Sequence, residues 1–231
     1  NEESDYTEIL ANLVLSWCTS LDLELNQVLF VGSSGGGFAA LQLATLLPGA
    51  MAFVENPQTV TTEYLDIEVE EHLRICFPNG NPTKQKNNSR LSVTQRINQY
   101  QQMPRFVYSQ NIFDDFHLNR HYRPFFEYFK QKPVEIAFQQ KFLLYYSKKG
   151  HNGVRTNEEF LIDLQNCFDW SEKLGADNNS VLIDCRDEPE IRLEAAMKCK
   201  AAKKGPKYGM FTVVYITENL KNLNEDSTQL R

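Results

Sequence analysis

Val28-Leu29-Phe30-Val31-Gly32-Ser33-Ser34-Gly35-Gly36-Gly37-Phe38 runs from an apolar stretch, through a Gly-x-Ser-x-Gly pattern, into a run of small residues suited to a helix. A strand that turns this sharply into a helix presents its central residue at the tip, in a strained backbone conformation. The residues two away on each side must then be nearly free of side chain. Gly32 and Gly36 meet that demand for Ser34, which is the candidate nucleophile. Ser33 fits less well, because the residue two before it is the β-branched Val31. Gly35, next after the serine, is the candidate backbone donor to an oxyanion.

A serine hydroxyl is a weak nucleophile at neutral pH. It needs an imidazole to take its proton and a carboxylate to fix the tautomer of that imidazole. Arg105 to Asn111 is rich in β-branched and aromatic residues and reads as a strand running into Ile112-Phe113-Asp114-Asp115-Phe116-His117. Lys141 to Ser147 reads as a buried strand that ends in Lys148-Lys149-Gly150-His151-Asn152-Gly153. The order is strand, acid loop, helix (Tyr122 to Lys130), strand, histidine loop. His151 is the candidate base, and Asp114 the preferred acid because it stands three residues after the strand end at Asn111, with Asp115 the alternate.

Around this frame, Tyr6 to Leu21 reads as a helix with Ile9, Leu10, Leu13, Val14 and Trp17 on its packing face. Phe38 to Leu47 is the expected helix after the turn, Pro48-Gly49 its stop, and Met51 to Glu55 the next strand. This strand-helix-strand unit implies parallel pairing. The turn-rich stretch from Phe77 to Arg90 is expected to be a loop or part of a lid. Asn157 to Leu174 has helical spacing, with Phe160, Leu161, Leu164 and Phe168 on one face. Gly175 to Ser180 reads as a linker, and Val181 to Cys185 and Met210 to Thr217 as strands around a helical run, Ile191 to Lys204. The expected fold class is α/β, a mainly parallel sheet flanked by helices. The core spans residues 1–175, and residues 176–231 form a linker with either a βαβ-like extension or the start of a truncated second domain.

Gly32-Ser33-Ser34-Gly35-Gly36, Asp114 and Gly150-His151 together resemble the second half of an α/β-hydrolase, over roughly residues 10–170. Asn56-Pro57-Gln58-Thr59, Gln110-Asn111-x-x-Asp114-x-x-His117 and Arg123-Pro124-Phe125 resemble the α/β-hydrolase-like proteins associated with capsular polysaccharide biosynthesis. That resemblance implies acyl transfer to or from a surface glycan or its precursor. It makes Gln58, Gln110, Asn111, His117, Arg120 and Arg123 candidate substrate-binding residues. The strands and oxyanion loop that precede the serine turn in a complete α/β-hydrolase have no counterpart here. The expectation is a piece of a longer protein with further domains, or a site completed by another chain.

With 42% hydrophobic and 23% charged residues the 231-residue chain has ordinary globular usage, and its net charge of -6 offers no footprint for nucleic acid. No apolar run reaches the roughly 18 residues of a membrane span, and the five scattered cysteines suggest reduced thiols, so a cytoplasmic setting is expected. His117 and His121 lie four apart and could meet on a helix face, but they lack a carboxylate-rich partner set, so no metal is expected. No cofactor is expected either, an acyl donor such as acetyl-CoA entering only for a transferase. Two other readings stand beside the enzyme. Gly32 to Gly37 followed by Glu55 also fits a Rossmann-like nucleotide-binding unit, with Ser34 in place of its middle glycine. The chain could also be a hydrolase-like module without activity.

Overall fold

Alternation along the strands decides the layers. In the computed structural model, which describes residues 5–77, 89–131, 140–145, 147–152, 161–167, 181–184 and 213–216, six strands form one parallel sheet in the order β1-β2-β3-β4-β5-β6. They are β1 Leu29–Ser33, β2 Met51–Glu55, β3 Arg105–Asn111, β4 Gln140–Tyr145, β5 Val181–Asp184 and β6 Val213–Ile216. On one face Ala52 and Val54 of β2, Phe106 and Tyr108 of β3, and Phe142 and Leu144 of β4 make the main core. On the other, Met51, Phe53, Val107 and Leu143 pack with Leu164 and Cys167, which lie on a helix over residues 161–167. Strands covered on both sides read as nearly continuous apolar runs, as β2 does, whereas β3 is apolar only at Phe106-Val107-Tyr108 and buries polar residues at both ends.

The main core is closed by three helices: α2 (Ser34–Leu46) through Ala40, Leu41 and Ala44, α4 (Val93–Tyr100) through Val93 and Ile97, and α6 (Arg123–Lys130) through Phe125 and Phe129. Phe106 meets Phe125, Phe129 and Phe142 with ring centroids 5.2–5.6 Å apart, the edge and tilted arrangements that aromatic quadrupoles favour. Arg96 of α4 is fully buried. Its guanidinium donates to Gln42 Oε1 of α2 at 2.6 Å and to Asp5 Oδ2 at 2.7 Å, and Asp5 also caps α1 (Tyr6–Leu21). Burial pushes the Asp5 carboxyl up, but the bonds and charge of Arg96 outweigh it and hold the group below its ordinary value.

Several sequence expectations are corrected. α1 is helical over the expected residues, yet Ile9, Leu10, Leu13 and Trp17 are exposed, and Ala11, Cys18 and Val14 face inward. Apolar residues stud more than one side of this helix, so periodicity alone could not choose the side; the small residues allow close approach to α2. α2 begins at Ser34 rather than Phe38, taking the glycines into its first turn. Two helices have no counterpart among the expected elements: α3 (Asp66–Cys76) and α4, the latter capped by Ser92 Oγ accepting from Gln95 N. The helix before β4 starts earlier, with α5 (Asp115–His117) and a π-helical turn (Leu118–Tyr122) leading into α6. β5 and β6 continue the same sheet beyond β4. Residues 78–88 of the turn-rich stretch Phe77 to Arg90, the 175–180 linker and the 191–204 helix lie outside the described residues. Among the described residues no helix is long and apolar enough to cross a membrane.

Candidate active site

In a parallel sheet every strand ends at the same edge, and loops that follow different strands meet there. β1 ends at Ser33, β3 at Asn111 and β4 at Tyr145, so Ser34, Asp114 and His151 all follow strand ends at that edge.

No residue separates β1 from α2. The whole reversal falls on Ser34, whose φ of 50° lies in the left-handed region that side chains other than glycine's avoid. A Cβ on Gly32 would overlap the carbonyl of Gly36, which makes glycine obligatory there. The second steric demand falls on Gly37, where a Cβ would come 2.6 Å from Pro57 Cβ; a Cβ on Gly36 meets nothing, a correction to the expected pair. Gly35 is exposed. Ser34 O accepts from Gln58 N at 3.1 Å, which ties the turn to the loop after β2.

The acid and base meet. His151 Nδ1 lies 2.6 Å from Asp114 Oδ2, with the imidazole about one-third exposed and the carboxylate buried. Asp115, the alternate acid, is exposed on α5, and the imidazole bonds Asp114 instead. Asp114 caps α5 by accepting from His117 N at 3.1 Å, and His117 Nδ1 lies 3.0 Å from Oδ2. Burial pushes the Asp114 carboxyl up, but the hydrogen bonds from the His117 side chain and backbone and from His151 prevail and hold it below its ordinary value. Asp114 is thus an anion at neutral pH, the state that orients a base. The rings of His117 and His151 stack with centroids 4.1 Å apart and planes 13° apart. Among the described residues no hydrogen bond joins Ser34 Oγ to His151. Such bonds are often long before substrate binds.

The corner that holds these loops is built on Asn111. Its buried side chain donates through Nδ2 to Ser147 O at 2.8 Å and Gly150 O at 2.6 Å, and accepts through Oδ1 from Phe113 N at 3.1 Å and Ser147 N at 3.0 Å. Asn56 Oδ1 accepts from Asn111 N at 2.6 Å, and Asn56 Nδ2 lies 2.6 Å from Tyr145 Oη. Asn111, expected among the substrate-binding residues, instead clamps the acid loop to the histidine loop. Gln110 is likewise fully buried, and His117 is 2% exposed. The side chains of all three are buried in the protein.

Gln58 does line a cleft. A cavity of about 360 Å³ opens beside Gly35 and is bounded by Phe38, Gln58, Thr61, Tyr64 and Glu68, with the unforeseen α3 supplying its outer wall. Arg120 is exposed, its guanidinium over the Phe116 ring at 4.8 Å and donating to Glu63 O; Arg123 is half-buried at the start of α6. Of these two candidate substrate-binding arginines, Arg120 is thus partly engaged by the protein itself.

Asp114, His117 and His151 are the one trio among the described residues whose ligand-type atoms lie within 4.8 Å of one another. Ligation of a divalent transition metal through the two Nδ1 atoms would require each to give up the proton that it donates to the carboxylate. Compared with protein-family models, with curated proteins and with solved structures, the chain matches none.

Proposed function

We propose that the chain is an α/β-hydrolase-type serine enzyme that hydrolyses or transfers an acyl group through a covalent acyl-Ser34 intermediate. The observation that carries this reading is the 2.6 Å bond between His151 and the buried Asp114, at the sheet edge where Ser34 is held with φ of 50°. The reading gives each residue one task. Ser34 Oγ attacks the acyl carbon as its proton passes to His151 Nε2, Asp114 stabilises the imidazolium, and Gly35 N–H donates to the oxygen that gains charge. Collapse breaks the bond to the leaving alcohol, which departs with the proton from His151. Water or an acceptor hydroxyl then reverses the sequence and frees the serine. A surface glycan or its precursor, as the resemblance implies, is the proposed acceptor or ester.

A fluorophosphonate probe tests this directly. It should add to Ser34 in the native chain, detected by intact mass and peptide mapping, and fail to add to the Ser34→Ala variant. The unbonded Ser34 and His151 favour a second reading, a module with the fold and acid-base pair but no turnover. Absence of labelling at every pH from mildly acidic to alkaline, in a folded sample, would select it. The nucleotide-binding reading has less support, because β1 passes into α2 with no glycine loop between them.

A further inference from the structure

Two imidazoles behind the acid have buried ring nitrogens that the proposed triad does not use. His117 is 2% exposed and His121 fully buried, and Nε2 of each has no hydrogen-bond partner among the described residues. A buried polar atom left unpaired keeps its full desolvation cost, so two in adjoining rings call for an explanation.

The donors and acceptors around the rings fix where the protons sit. A carboxylate only accepts, so His117 Nδ1, 3.0 Å from Asp114 Oδ2, carries a hydrogen. In the neutral ring its Nε2 is then a bare acceptor. Thr59 N–H donates to His121 Nδ1 at 3.3 Å, so that nitrogen is bare and His121 Nε2 carries the hydrogen. Burial drives the His121 pKa down to about 3, which keeps the ring neutral. The unpartnered atoms are thus one donor and one acceptor, on rings whose centroids are 5.1 Å apart and tilted by 43°. A direct bond or one buried water between them would satisfy both atoms at once.

We propose that Thr59 N–H, His121, His117 and Asp114 form a fixed hydrogen-bond relay that locks the acid, and through it the Nδ1–H tautomer of His151. No proton travels along it. Each member dictates the tautomer of the next, and the chain ends with His151 Nε2 bare, as a base requires. His117 and His121 are on this account positioning residues. The catalytic consequence rests on the serine-enzyme reading above; the tautomers do not.

Two readouts separate those layers. Long-range ¹H–¹⁵N correlation spectra of the native chain should show His117 protonated at Nδ1 and bare at Nε2, and His121 protonated at Nε2 and bare at Nδ1. A charged His117, or either ring in the opposite tautomer, overturns the relay whether or not the chain is an enzyme. The rate of Ser34 labelling by a fluorophosphonate then measures activation of the nucleophile. His117→Phe, which keeps the stack but removes both nitrogens, should slow labelling by about 10- to 100-fold. His117→Asn, whose amide nitrogen replaces Nδ1, should recover most of that loss. Equal rates in both variants, whether both slow or both like the native chain, would remove the positioning role. If native Ser34 is never labelled, the serine-enzyme reading fails, and the spectra still decide the relay.

Discussion

The turn at Ser34 and the corner around Asn111 lie at the same sheet edge and are held by opposite means. The turn is steric. It makes few specific bonds, and its shape follows from one residue forced to φ of 50° and from a Gly32 position with no room for a methyl group. The corner is polar. Asn111 satisfies backbone groups in two loops with four hydrogen bonds, and Asp114 collects two imidazoles. A steric device is local in sequence and intolerant of added atoms, whereas a polar one is assembled from distant segments and intolerant of lost atoms.

Substitutions that add and remove atoms break this comparison in different ways. Gly32→Ala should have the largest effect. Its methyl meets the Gly36 carbonyl, a backbone atom that cannot rotate aside, so a loss of about 3 kcal/mol or more is expected. Urea denaturation should report it as a lowered midpoint with an unchanged slope, and Ser34 labelling should vanish with it. Next, Asn111→Ala leaves the amides of Phe113 and Ser147 and the carbonyls of Ser147 and Gly150 without their side-chain partner. A cost of about 2–3 kcal/mol follows if water partly replaces it. Hydrogen exchange should quicken at Phe113 and Ser147 while the amides of β2 keep their protection.

The same contrast explains what the sequence allowed to be read. The turn was legible because Gly32 and Ser34 stand two residues apart, and the steric rule that links them needs no tertiary contact. Asp114 and His151 were legible as candidates from their places after strands, since strand order in an α/β chain carries loops to one edge. The demand at Gly37 was hidden because it comes from Pro57, across the following strand. Asn111 looked like a ligand contact for the same reason: its partners, Ser147 and Gly150, lie 36 and 39 residues on. The spacing of four between His117 and His121 is plain in the sequence, but its meaning depends on Thr59 and Asp114, which no spacing rule connects. α4 did leave a signal, Ser92 as cap with Val93 and Ile97 one turn apart, masked by the turn-rich residues before it. The exposed apolar side of α1 misled because exposure there is set by neighbours, not by periodicity.

Substitutions within the turn itself sharpen the steric half of the comparison. Ser34→Gly removes the side chain from a left-handed position and should stabilise the fold by about 1 kcal/mol while abolishing labelling, read from the urea midpoint and from intact mass. Gly36→Ala should have the smallest effect and the opposite logic to Gly32→Ala. The added methyl meets nothing within 4 Å, and the residue sits in the first turn of α2. Alanine loses less backbone freedom than glycine on entering a helix, so a gain of about 0.5–1 kcal/mol is expected. If Gly36→Ala instead destabilised as Gly32→Ala should, the space at the mouth of the turn would already be filled, and the steric demand would bear on both glycines of the Gly-x-Ser-x-Gly pattern. A raised midpoint with labelling retained would place that demand on Gly32 and leave the mouth open beside the Gly35 amide.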